Sequence, residues 1–147
     1  MTKSYFAESE MACPCCGRAD MNRDFMGKLN ALREACGFPL NINSGYRCPD
    51  HNAKIGSKVN SAHVQGRAAD IACTDSHKRF VIISEAIELG FNRIGVGDSF
   101  IHIVIKPQLG KVAAFFIGAV CSALGVALSP ETLQSLTEVL TALFGGV

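Results

Sequence analysis

Apolar residues recur at helical spacing between Met21 and Cys36. Phe25, Met26, Leu29, Leu32 and Cys36 share one side, while Asp24 and Lys28 lie four apart on the other. The spacing predicts a helix over 21–36, stopped by Gly37 and kept from resuming by Pro39. Phe38 to Asn43 then reads as a short strand. A second helical stretch begins where Asp75 or Ser76 can cap it and runs to Leu89. Phe80, Ile83, Ala86 and Ile87 are expected to face inward, with Gly90 as the stop.

Strand patterns lie around that second helix. Ala68 to Cys73 is a short apolar run broken by one aspartate, as expected of a central strand. Arg93–Val96 and Phe100–Ile105 flank a Gly97-Asp98 turn and predict a hairpin. Alternation puts Phe100, His102 and Val104 on one face of the last strand, with Ile101, Ile103 and Ile105 on the other. Pro49 suits the first position of a short helix. The expected class is α+β: a small antiparallel sheet with helices packed against it, followed by a helical tail.

The tail has a different pattern. Val112 to Ser129 carries no charge, a length near the lower limit for a membrane span. Ser129-Pro130-Glu131 starts another helix, on which Leu133, Leu136, Leu140 and Leu143 share a face. We place a boundary near Lys106–Lys111, giving a domain over 1–106 and a tail over 107–147. The tail reads as a membrane hairpin or a span with an interfacial helix. It reads equally as a soluble helical hairpin packed on the domain or on a second copy. With Lys106 and Lys111 at its start, the positive-inside tendency leaves the domain on the cytoplasmic side.

Composition narrows the partners. The chain has 147 residues, enough for one well-buried core, and a net charge of +1. There is no excess of Lys and Arg to track phosphates, which argues against nucleic acid. Seven cysteines are an odd number, and Met1–Glu8 lacks the apolar run of an export peptide. The thiols are therefore expected to be mostly reduced, in a protein made in the cytoplasm.

Candidate chemistry centres on Ser61-Ala62-His63-Val64-Gln65-Gly66-Arg67-Ala68-Ala69-Asp70. A loop histidine and a carboxylate entering a strand can supply two of the three protein ligands of a catalytic zinc, which keeps a fourth position open. His102 is the obvious third donor. The bland alternative is a turn histidine, a capping aspartate and a core histidine. Arg47, in Ser44-Gly45-Tyr46-Arg47, can grip a carboxylate with two parallel hydrogen bonds or form a surface ion pair. His51 reads as support or packing, and His77 as exposed. Cys13-Pro14-Cys15-Cys16-Gly17 suggests a metal knuckle without its usual second pair, or a buried or redox-active thiol turn. Cys36 and Cys48 could join it only from a distance.

Ser44–Arg47, Pro49-Asp50-His51-Asn52, Ser61-Ala62-His63, Gly66–Asp70 and Arg93–Val96 followed by Phe100-Ile101-His102 together resemble one family. It is the zinc D-Ala-D-Ala carboxypeptidase and L-alanyl-D-glutamate endopeptidase family, in particular its small phage and prophage-type members. The match runs from about Tyr5 to Ile105. The resemblance implies zinc (Zn2+) held by His63, Asp70 and His102. It implies Arg47 on the substrate or oxyanion, with Ser61 beside the substrate. The substrates implied are peptidoglycan stem peptides. The chain departs from the pattern at the general base. Ser99 and Val104 stand where relatives carry an acid or a histidine. Asp98 is the nearest acid, and it can act only if the Gly97 turn folds it back.

Overall fold

The computed structural model describes residues 4–106 and, in the tail, Ser129, Glu131, Thr132 and Ser135. The chain divides into two compact units, Met1–Lys106 and Pro107–Val147. The apolar stretch over 112–129 and the leucine stripe lie outside the described residues, apart from Ser129. Among the described residues no helix is long and apolar enough to cross a membrane.

In chain order the first unit holds α1 (Glu8–Met11), α2 (Arg23–Cys36), β1 (Asn41–Ser44), α3 (Pro49–Lys54), β2 (Ala68–Ala72), α4 (Ser76–Glu88), β3 (Arg93–Val96) and β4 (Phe100–Val104). Local chemistry sets the ends. The Asn22 side chain accepts from the Phe25 N–H and starts α2 two residues later than apolar spacing suggests. Gly37, at φ 70°, closes it. Pro39 has no N–H to offer a ladder, so β1 pairs only from Asn41, not from Phe38. Pro49 opens α3, and Asp75 caps α4 through the Lys78 N–H.

The four strands form one antiparallel sheet in the order β1-β2-β4-β3. Ala69 and Ile71 of β2, with Ile101 and Ile103 of β4, face α2 and α4. They pack with Phe25, Leu29, Leu32, Ile82, Ala86 and Phe91 into the main core. Phe25 and Phe91 meet edge to face, with ring centroids 6.0 Å apart. The expected inward face of α4 is partly corrected. Ile82 and Ala86 are its buried residues, whereas Phe80 and Ile87 are exposed.

The opposite sheet face carries the alternate residues. Register places Ser44, Asp70, His102 and Gly95 in one row across all four strands. An irregularity between Ile42 and Ser44 carries two residues of β1 past one step of β2. Ile42 therefore stays against the core while Ser44 comes opposite Asp70.

Candidate metal centre

Asp70 and His102 face each other across neighbouring antiparallel strands, where side chains on one face are in direct reach. His102 Nδ1 lies 2.6 Å from Asp70 Oδ1. His63 comes from the loop between α3 and β2, and its ring is buried. Two glycines allow that approach. Gly66 turns at φ +64°, and a Cβ there would lie 2.1 Å from the Asp20 carbonyl oxygen. A Cβ on Gly45 would lie 2.8 Å from the backbone of Met11. The Gly45 carbonyl consequently sits 2.7 Å from His63 Nδ1. Nδ1 donates there, which leaves Nε2 as the lone-pair nitrogen, 3.4 Å from Asp70 Oδ2. The imidazole centroids are 5.1 Å apart. One donor atom from each of His63, Asp70 and His102 falls within 4.8 Å of the others.

Arg47 completes the arrangement from the corner between β1 and α3. Its Nη2 donates to Asp70 Oδ2 at 2.7 Å and its Nε to Ser44 Oγ at 2.8 Å. The pair is mostly sheltered, with side chains 15% and 12% exposed. Burial pushes the Asp70 carboxyl up. The close contacts of His102 and His63 with the carboxylate outweigh it and hold Asp70 well below the usual carboxylate range. An ionised carboxylate between two imidazoles is a donor set suited to zinc. The Gly45 carbonyl on the far nitrogen of His63 is the outer contact that fixes the ring of a ligating histidine. The residues therefore fit the ion.

The remaining expectations fare differently. Ser61 is half-buried, and its Oγ accepts from the His63 N–H at 3.3 Å, so it steadies the histidine turn. Asp98 is not brought to the three ligands. It is exposed at the tip of the β3–β4 hairpin, where the Gly97 N–H closes the turn onto the Phe100 carbonyl. Arg79 clamps that tip from α4, donating to the carbonyls of Cys73, Gly97 and Asp98. Val104 lies on the His102 face and is buried. His51 is half-buried on α3 and outside the cluster.

Two further contacts form only in the fold. Ser44 and the Gly45 carbonyl act through partners brought together only by the sheet. Cys48 approaches the thiols of Cys13 and Cys16, forming a second group able to hold a metal.

Residues 4–104 match the family model described as Peptidase M15. Over 47 residues the chain is 43% identical to the zinc D-Ala-D-Ala carboxypeptidase of Streptomyces albus G. That alignment covers 31% of this chain and 18% of the relative, so the chain spans about a fifth of that protein's length. The family match takes in every strand of the sheet and all three clustered donors, and on that ground the chain belongs to the peptidase M15 family.

Proposed function

We propose that the chain is a zinc peptidase acting on the stem peptides of peptidoglycan, with His63, Asp70 and His102 as the metal ligands. The observation that carries this reading is the convergence of those three side chains within 4.8 Å, inside a segment that matches a peptidase family. The substrate class rests on the resemblance and on the relative's activity.

Zinc in such a site supplies Lewis acidity, polarising a carbonyl and making water acidic enough to attack it near neutral pH. The chain's own residues prepare that chemistry. Gly45 fixes which nitrogen of His63 is available. Arg47 holds Asp70 in place, with one arm on Ser44 and the other on the carboxylate. Its positive charge, at the edge of the cluster, also suits an oxyanion formed from the scissile carbonyl.

Hydrolysis further needs a group that takes a proton from water and returns it to the leaving amine. The exposed position of Asp98 and the valine at 104 support slow turnover relative to family members with an acid on the metal-facing strand. The same two residues favour a second reading, a zinc-containing module that binds the wall without cutting it. Lysis or wall remodelling in a phage or prophage setting is the role we infer from the resemblance. The charge-free stretch over 112–129 supports attachment to a membrane.

Digestion of purified peptidoglycan by the zinc-loaded protein, with mass analysis of the fragments, tests the proposal. New stem-peptide termini absent with Asp70→Ala support a peptidase and identify the bond. Wall binding with no new termini selects the binding module.

A further inference from the structure

The three thiols of Cys13, Cys16 and Cys48 lie within 4.8 Å of one another, and Cys13 and Cys48 share with Tyr46 a small buried cluster separate from the main core. The backbone prepares them. Cys13 opens a tight loop in which the Gly17 N–H donates to the Cys13 carbonyl at 2.8 Å, with Gly17 at φ 72°. The Cys13 sulfur accepts from the Cys48 N–H at 3.4 Å. The Cys48 sulfur accepts from the His51 N–H at 3.4 Å. The two buried sulfurs therefore each face a backbone N–H donor.

Packing alone does not account for the loop. Its buried cluster consists of Cys13, Tyr46 and Cys48, with Met21 packed against it, while Cys15, Cys16, Gly17 and Arg18 are exposed. So little apolar burial is a weak anchor for a loop that ends against the site. A disulfide would use two of three converging sulfurs and leave the third without a purpose. A soft, tetrahedral metal uses them all.

We propose that Cys13, Cys16 and Cys48 bind a second, structural zinc, with the neighbouring, exposed Cys15 thiol as its fourth donor. Binding displaces the thiol protons and involves no change of oxidation state. The ion would tie the 13–18 loop to the first residue before α3. Arg47 and Gly45 lie immediately upstream of that point, so the tie holds the corner that orients Asp70 and His63.

The test is cobalt substitution of the full chain, purified under reducing conditions. A cobalt ion on thiolates gives intense sulfur-to-metal charge-transfer absorption in the near ultraviolet, and one on imidazole and carboxylate does not. The band is expected in the wild type and in Asp70→Ala. It should be lost in Cys16→Ser, whose exposed position leaves the fold intact, and in Cys48→Ser. Zinc analysis should fall by one equivalent in Cys16→Ser and by a different one in Asp70→Ala. Absence of the band in the folded wild type overturns the proposal, as does its persistence in Cys16→Ser. A Cys13–Cys48 disulfide found in freshly purified protein would overturn it in favour of a redox pair. The charge-transfer band depends neither on the His63 site nor on peptidase activity.

Discussion

Arg47→Lys removes geometry while keeping charge, and its effect can be sized from the two bonds that Arg47 makes. Arginine spans Ser44 Oγ at 2.8 Å and Asp70 Oδ2 at 2.7 Å with two nitrogens of one rigid plane. A lysine ammonium can take the carboxylate as a point charge but cannot hold both partners in that fork. One hydrogen bond from a charged donor is lost, worth about 1.5–3 kcal/mol. Asp70 loses the brace that fixes its orientation toward the histidines. Loss of such an outer contact lowers metal affinity about 10–100-fold, equivalent to about 1.4–2.8 kcal/mol. The two routes agree in size. The assay is competition for zinc against a chromophoric chelator at the His63–Asp70–His102 site, in a Cys16→Ser background that isolates it. Arg47→Met should weaken binding further, because it leaves a sheltered carboxylate without its cation. Zinc affinity within twofold of the parent in both variants would refute the bracing role.

Two further predictions concern the frame around the site. Gly66→Ala places a Cβ 2.1 Å from the Asp20 carbonyl oxygen at a φ of +64°, so it should cost at least about 2 kcal/mol and displace the His63 turn. An unchanged urea midpoint would show that the turn is not confined there. Cys36 is pushed up to about 11 from an ordinary 9.0, mainly by burial, with the charge of Glu85 adding to it. The folded state keeps this thiol protonated, so its contribution is complete below pH 9 and is lost as pH rises toward 11. The loss is about 2–3 kcal/mol over that window. Cys36→Ala should flatten this part of the alkaline stability curve, and identical slopes in both proteins would remove Cys36 as the cause.

The fold was legible where one residue type forces one geometry. Gly97-Asp98 between two alternating runs marked the β3–β4 hairpin, and Pro49 marked the start of α3. Alternation along β4 also put His102 opposite the isoleucines that build the core. The phase of α4 was harder to read, because Phe80, Val81, Ile82, Ile83, Ala86, Ile87 and Leu89 put apolar residues on most of its circumference. Only contact with α2 and the sheet decides that Ile82 and Ala86 turn inward and Phe80 outward. The clustered trio was readable because His63 and Asp70 are close in sequence and His102 lies in the strand that alternation marks after the Gly97-Asp98 turn. What braces it was not. Arg47 and Asp70 are 23 positions apart, and Cys13 and Cys48 are 35 apart. Such pairings follow from strand order and a bulge, which no local pattern encodes. The expectation for Asp98 failed for a related reason. A turn can fold either way, and Arg79, eighteen or so positions earlier in the chain, holds this one outward.

The central claim is that His63, Asp70 and His102 are one zinc site. Anomalous diffraction from crystals of the zinc-loaded protein, collected on both sides of the zinc absorption edge, tests it most directly. The account predicts an anomalous peak about 2.0–2.2 Å from His63 Nε2, an oxygen of Asp70 and a ring nitrogen of His102. A folded, zinc-soaked crystal with no peak among those three side chains would contradict it.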